Sequence, residues 1–120
     1  MLSQLGQIAM HVADLERAVG FYRDILRIPS LFQFPGLAFF DCGGVRLMLT
    51  RPEGSERPGG NSVLYFKVSD IQAESRALAS RGVKLEGEPH MIAKLPDHEL
   101  WMVFFRDPDG NLLALMSEVR

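Results

Sequence analysis

Apolar side chains recur at helical spacing in two segments of the chain, which predicts two amphipathic helices. Asp14 precedes the first segment as an N-cap, and Pro29 lies just past its end. The second segment begins after the N-cap Asp70 and ends before Gly82, a suitable C-terminal cap. The apolar face of the first helix consists of Leu15, Ala18, Val19, Tyr22, Ile25 and Leu26, and that of the second includes Ile71, Leu78 and Ala79.

A short strand ending in Val-x-Asp precedes each predicted helix, and three further strands follow it. The predicted strands are residues 6–12, 31–34, 37–41 and 45–50 in the first half, and 62–68, 89–94, 100–106 and 111–116 in the second. Gly-, Pro- and Asp-rich turns separate them. Because both halves have the same order of elements, the sequence predicts an internal duplication.

This duplication predicts a single α+β domain, residues 1–120, made of two βαβββ modules. The first module covers about 4–51 and the second about 62–118. Residues 52–61, rich in Pro, Gly and charge, are predicted to be a linker.

Composition excludes several classes of protein. The chain has 120 residues, of which 47% are hydrophobic and 23% charged, and 13 basic residues against 15 acidic ones give a net charge of -2. The absence of a basic cluster argues against binding nucleic acid or a membrane. The single Cys42 forms no internal disulfide, and no signal peptide or membrane-spanning run is visible. We therefore expect a soluble, cytoplasmic protein.

Two stretches resemble a known group of proteins. The sequences HVADLERAVGFYRDIL near the start and FRDPDGNLLALMSE near the end, together with the duplication, resemble the vicinal-oxygen-chelate superfamily. That superfamily contains glyoxalase I, methylmalonyl-CoA epimerase, extradiol dioxygenases, and the bleomycin- and fosfomycin-resistance proteins. The resemblance implies two modules whose mixed sheets curl around a ligand cup, with the helices on the outer faces. It also implies a homodimer.

Members with metal chemistry take one ligand from the first and last strand of each module. By alignment on the Val-x-Asp and Asp-x-Gly motifs, the resemblance places these four positions at His11, Met48, Val63 and Ala114. Only His11 could bind a divalent cation, whereas a catalytic metal usually takes about three protein ligands. No metal site and no cofactor are therefore predicted.

A metal site formed by other side chains than the four family positions is a less favoured alternative. His90, His98 and Glu99 are the remaining ligand types near the predicted rim, and His11 could pair with His90 or His98. His98 and Glu99 are adjacent and would point in opposite directions on an extended chain. His11 itself is either a hydrogen-bonded, chemically idle residue or an acid/base group or donor to a ligand.

Strand alternation predicts the lining of the cup. Arg46 offers a planar fork suited to a carboxylate or phosphate, although a solvated role for Arg46 and Lys67 is equally open. Trp101 is also assigned to the ligand site, but the apolar run from Leu100 to Phe105 does not show which of its faces lines the cup. The predicted ligand-binding residues are Arg46, Met48, Val63, Tyr65, Lys67, Trp101 and Ala114.

Three functions follow from these observations. The favoured one is a metal-free protein that binds a small organic ligand, which is anionic if Arg46 or Lys67 holds it. The second is a metal-independent enzyme of lyase or isomerase type, with His11 and Tyr65 transferring protons. The third is a metal-dependent glyoxalase, epimerase or dioxygenase. It is disfavoured because only one of the four ligand positions, His11, could bind a metal. Whether any reaction is catalysed stays open, and the expected partners are the ligand and a second copy of the chain.

Overall fold

The computed structural model describes residues 2–51 and 61–120. In order, the first half contains β1 (Gln7–His11), α1 (Leu15–Val19), a π-helical segment (Gly20–Ile25), β2 (Ser30–Phe34), β3 (Leu37–Cys42) and β4 (Val45–Thr50). The second half contains β5 (Leu64–Lys67), α2 (Ile71–Ser80), β6 (Leu85–Lys94), β7 (Glu99–Arg106) and β8 (Leu112–Val119). The predicted α+β class with two βαβββ modules is confirmed.

Each module forms one four-stranded mixed sheet, and the two sheets have the same topology. The strand orders are β1-β4-β3-β2 and β5-β8-β7-β6. In both sheets the first and last strands of the module are parallel neighbours, and the other pairs are antiparallel. The two modules share only short sequence motifs, but their strands are arranged in the same order.

The chain divides into two compact units. The first ends at Asn61 and also includes the short loop Pro108–Gly110, and the second consists of Ser62–Asp107 and Asn111–Arg120. Most of the predicted linker, residues 52–60, lies outside the part of the chain that the structure describes.

The core of the first unit lies between its sheet and its helical segment. Met10, Ala38, Phe40, Leu47 and Leu49 alternate with the residues of the opposite face and are at most 1% exposed. Tyr22, also fully buried, packs on this face: its hydroxyl donates to Met10 Sδ at 3.7 Å and its ring lies 6.3 Å from that of Phe40. In the second unit, Val103, Phe105, Leu113 and Leu115 form the corresponding layer.

The first predicted helix differs from the structure. We expected one regular α-helix as far as Leu26, but after Val19 it continues as a π-helix, in which the N–H of Leu26 donates to the carbonyl of Phe21. Phe21, which is not on the predicted apolar face, is buried beside Tyr22, three residues after the buried Ala18. Asp14 and Asp70 are N-caps as predicted.

Strand lengths also differ from the prediction. β6 begins at Leu85, before the predicted start, because a bulge between Glu86 and His90 lets the strand continue through Gly87, whose φ is 95°. β8 extends to Val119. Within the described ranges, no helix is both long and apolar enough to cross a lipid bilayer.

Candidate functional site

The first sheet has one face that does not pack on its helix, and we call it the first open face. Because side chains alternate along a strand, this face is opposite to Met10 and Phe40. Strand pairing places Gln7 beside Arg46, Ala9 beside Met48 and His11 beside Thr50. Its members include Gln7, His11, Phe32, Phe34, Phe39, Arg46 and Met48.

Three phenylalanine rings form a cluster on the first open face. The turn at Pro35-Gly36 pairs Phe34 with Leu37 and Phe32 with Phe39, so all three rings point to the same side. The ring centroid of Phe32 lies 4.8 Å from that of Phe39 and 5.4 Å from that of Phe34. Phe32 and Phe34 are 43% and 57% exposed, whereas Phe39 is buried beneath them. The cluster is thus an aromatic surface open to solvent.

A guanidinium group borders this aromatic cluster. The Cζ atom of Arg46 lies 5.9 Å from the ring centroid of Phe39, a cation–π distance. Asp41 is paired with Arg46 across the strands, but its Oδ1 accepts the N–H of Gly44 at 2.9 Å. Within residues 2–51 and 61–120, Arg46 forms no ion pair. Its fork therefore remains available to an external anion.

His11 lies on the first open face but far from Arg46. Its strand partner is Thr50, four residues along β4 from Arg46, which corresponds to about 13 Å. The backbone of His11 is held by Asn61, whose Oδ1 accepts the N–H at 3.0 Å and whose Nδ2 donates to the carbonyl at 3.2 Å. A small ligand bound at Arg46 would reach Gln7 and Met48, but not His11.

The register of the two sheets shows that His11 and Val63, two of the four assigned metal positions, are not equivalent places in the two modules. Ala9 pairs with Met48 as Tyr65 pairs with Ala114. Val63, two residues before Tyr65, therefore corresponds to Gln7, two residues before Ala9. His11 corresponds instead to Lys67, since both lie directly before the Val of Val-x-Asp. If Val63 is one of the four positions, its equivalent in the first module is Gln7, four residues before His11.

With Gln7 in place of His11, the four positions have a poor donor set for a divalent cation. Gln7 offers one amide oxygen and Met48 a weak thioether, whereas Val63 and Ala114 offer no donor atom. The side chains of Gln7 and Met48 already contact each other, with Nε2 3.8 Å from Sδ. These four residue types do not fit the metal that the superfamily implies.

The remaining candidate metal ligands have local partners. A ring nitrogen of His90 lies 3.1 Å from the carbonyl oxygen of Glu88, and one of His98 lies 2.8 Å from Oδ1 of Asp97. Oε1 of Glu99 accepts the indole N–H of Trp101. Across the described part of the chain, no three His, Cys, Asp or Glu residues come together as a cation site.

The second sheet has an equivalent face, the second open face, on which Tyr65, Lys67 and Ala114 lie together. The ring of Tyr65 stands 6.0 Å from that of Phe104, and the fully buried Ala114 is the strand partner of both. Lys67 Nζ lies 3.6 Å from Oε2 of Glu118. Val63 lies just before β5, two residues before Tyr65, and so belongs to the same face.

The structure does not bring Trp101 to the second open face. Trp101 pairs with Ser117, and both alternate with the residues of that face. Its ring instead lines a cavity of about 360 Å³ at the beginning of α2, together with Ile71. Trp101 therefore lies on the helix side of its sheet.

Cys42 lies at the end of β3 and has no activating group. The side chain is half-buried, and burial, followed by the charge of Asp41, raises the pKa of the thiol. A raised pKa keeps the sulfur protonated, so a nucleophilic role is disfavoured.

Sequence analysis missed the phenylalanine cluster. The predicted lining rests on alternation along the first and last strands of each module. Pro35-Gly36 separates the predicted strands 31–34 and 37–41, whose residues also alternate. Pairing across that turn would have placed Phe32 and Phe34 on the face of Phe39.

Comparison with known proteins identifies several relatives. The family model for the Glyoxalase/Bleomycin resistance protein/Dioxygenase superfamily matches residues 4–115. The chain is 32% identical to the uncharacterized protein YraH of Bacillus subtilis, over 93% of this chain and 96% of that protein. It is 25% identical to the mitochondrial methylmalonyl-CoA epimerase of Mus musculus, over 98% of this chain and 74% of that protein.

Solved structures agree with the family match. TnmS3, an antibiotic binding protein from Streptomyces sp. CB03234, superposes with a TM-score of 0.79 at 25% identity, covering 98% of this chain and 97% of that chain. Lactoylglutathione lyase from Agrobacterium tumefaciens has the same fold, with a TM-score of 0.76 at 24% identity and coverage of 96% and 93%. The chain belongs to the glyoxalase/bleomycin resistance protein/dioxygenase superfamily.

Proposed function

We propose that this protein binds a small, planar, anionic organic molecule on the first open face, without a metal ion. The observation that carries the proposal is the guanidinium of Arg46, which has no ion pair in the described ranges and stands over Phe39 beside two exposed phenylalanine rings. Ligand sites typically combine such an apolar surface with a few polar groups that orient the ligand.

The energetics of this surface favour a flat ligand. Stacking on an aromatic ring contributes about 0.5–1.5 kcal/mol beyond the area that is buried. Phe32 and Phe34 present that area to solvent, so a ligand can cover it without moving the core. A charge-assisted hydrogen bond from Arg46 adds about 1.5–3 kcal/mol and selects an anion over a neutral analogue.

One structural relative supports binding as the activity. TnmS3 is described as an antibiotic binding protein, and its chain superposes over nearly the whole of this one. Because one fold serves many chemistries, the relative supports the class of function and not a particular ligand.

The fluorescent probe anilinonaphthalene sulfonate tests the proposal, because it combines flat aromatic ring systems with an anionic sulfonate. We expect saturable binding with one site per chain. Arg46→Gln should weaken the affinity about tenfold or more, the size expected for a lost hydrogen bond to a charged group. Phe34→Ala should weaken it about threefold to tenfold through lost stacking.

Two matched variants control the experiment. Arg23→Gln removes an exposed arginine that is paired with Asp24 in the π-helical segment, on the other side of the sheet, and it should leave the affinity unchanged. His11→Ala changes the far end of the same face and should also leave it unchanged. Equal affinity of wild type and Arg46→Gln, in folded protein, would refute the proposed site.

Catalysis by His11 is the second candidate. Enzymes among the relatives, such as methylmalonyl-CoA epimerase and the metallothiol transferase FosB of Staphylococcus saprophyticus at 25% identity, favour it. The separation of about 13 Å between His11 and Arg46 along the sheet argues against one small molecule using both. Turnover of a discovered substrate that His11→Ala abolishes would establish this candidate.

A further inference from the structure

A second concave site lies between α2 and β6, apart from the open face of either sheet. Side chains of α2 and β6 border a groove of about 360 Å³, large enough for a small metabolite. The residues that matter here are Gln72, Ser75, Arg76, Ala79, Leu85 and Glu88.

The hydroxyl of Ser75 is the unusual group in this groove. Ser75 is only 4% exposed, yet its Oγ has no hydrogen-bond partner among the residues whose positions are described. Serine in a helix commonly bonds a carbonyl of the preceding turn, and Ser80 at the end of the same helix does so, to Ala77 at 2.7 Å. A buried hydroxyl without a partner is unfavourable, and a ligand atom in the groove would satisfy it.

Opposite charges flank Ser75. Arg76 comes from the helix and Glu88 from the strand. Among the residues with described positions, neither forms an ion pair, with each other or with a third group. The groove therefore presents an uncompensated cation, an uncompensated anion and an unsatisfied hydroxyl.

A bulge in β6 contributes to this arrangement. The pairing register with β7 shifts between Glu86 and His90, and Gly87 has a φ of 95°. A bulge changes the direction in which the following side chains point, and here it precedes Glu88.

The neighbouring cavity at the beginning of α2 provides a contrast. Two of its polar side chains bond within the protein: Glu99 accepts from Trp101, and Ser117 donates to the carbonyl of Ser69. Of these two cavities, only the groove beside Ser75 has a buried polar atom without a partner.

We propose that this groove binds a small zwitterion of the amino-acid type with an aliphatic side chain. Its carboxylate pairs with Arg76, its ammonium group pairs with Glu88, and one of its polar groups bonds the Ser75 hydroxyl. Its hydrocarbon part lies against Ala79 and Leu85. The site does not include any residue of the first open face, so it can be tested separately from the function proposed above.

Isothermal titration calorimetry with three related probes tests this assignment on the full chain. L-leucine has both charges, leucinamide lacks the carboxylate, and isocaproate lacks the amine. We expect saturable binding of L-leucine in the millimolar range or tighter, and about tenfold weaker binding of each analogue, as for one lost charged hydrogen bond.

Ser75→Ala separates binding from folding. Because it removes an unsatisfied hydroxyl and alanine is the better helix former, the midpoint of thermal unfolding should stay at or above the wild-type value. Binding of L-leucine should nevertheless weaken. Ser80→Ala, on the same helix with its hydroxyl already bonded, is the matched control and should bind normally.

Two charge variants complete the test. Arg76→Gln should abolish the preference for L-leucine over leucinamide, and Glu88→Gln should abolish the preference over isocaproate. The proposal is overturned if L-leucine shows no saturable binding, if both analogues bind as tightly as L-leucine, or if Ser75→Ala binds like wild type.

Discussion

The two modules of this chain have the same sheet topology, but their open faces differ in charge and exposure. On the second open face the charges are paired: Lys67 lies near Glu118, and Arg106 bonds Glu86 at 2.8 Å. On the first, Arg46 has no ion pair in the described residues and borders exposed aromatic rings. Duplication thus preserved the faces that pack on helices, while the opposite faces diverged.

This comparison separates two kinds of constraint. The helix-facing positions are buried in both modules, so large changes there cost packing energy. The exposed residues of the open faces tolerate more substitution, because their side chains are not packed in the core. The difference indicates that binding chemistry should be sought where the two modules are least alike.

The largest expected effect is a loss of stability on substitution in the cores, which are alike in the two modules. Phe40 and Phe105 are fully buried and occupy matching places, paired with Leu47 and Leu113. Replacing either by alanine should lower the free energy of unfolding by about 3–5 kcal/mol, because each change leaves a cavity. Urea unfolding measures this loss. A cost below about 1 kcal/mol at one site would break the equivalence of the two cores.

Substitutions in the turns before the last strand of each module should lower the free energy of unfolding by unequal amounts. Asp107 is buried and accepts from both the backbone N–H and the side-chain amide of Asn111, whereas the exposed Asp41 accepts from Gly44. Asp107→Ala should cost about 2–3 kcal/mol, since buried donors lose their acceptor, and Asp41→Ala about 0.5–1 kcal/mol. Urea unfolding of both variants provides the comparison, and equal costs would contradict it.

The cations of the two open faces should differ in ligand binding. Lys67 is already beside Glu118, so Lys67→Gln should change the affinity for anilinonaphthalene sulfonate by less than about twofold, while Arg46→Gln reduces it about tenfold. A titration followed by fluorescence measures both. If the lysine variant loses more affinity than the arginine variant, the probe binds the second open face instead.

The smallest effect concerns an exposed ion pair of the second module. Hydrogen bonds from Arg120 and then His98 lower the pKa of Asp97 to about 2. Because the folded-state pKa is below the unfolded value, the stabilisation is present above about pH 4 and is lost as the pH falls towards 2. An NMR titration of the Asp97 carboxyl carbon should show the low value, and Arg120→Gln should raise it. A value near 4 in the wild type would exclude this pairing in solution.

Much of the fold could be predicted from the sequence, because its signals are local. The Val-x-Asp motifs, the caps Asp14 and Asp70, and the alternation along β4 each report on neighbouring residues. The π-helical segment could not be predicted, since a wider turn shifts which residues reach the core without changing their composition.

The site was less predictable because it depends on pairing between strands. Trp101 could not be assigned to a face, since the run from Leu100 to Phe105 is apolar on both sides and shows no alternation. Motif alignment matched His11 with Val63, whereas the registers of the two sheets match Gln7 with Val63. Side chains that meet across a sheet are separated by a number of residues that no single motif specifies.

The bonds between Asn61 and His11 also affect how copies of the chain meet. Within the described residues β1 is an edge strand, and an edge strand with free N–H and carbonyl groups can recruit a strand from another molecule and start aggregation. The amide of Asn61 occupies both backbone groups of His11, as a residue of a neighbouring strand would. A single side chain therefore blocks this edge at one point against intermolecular β-pairing.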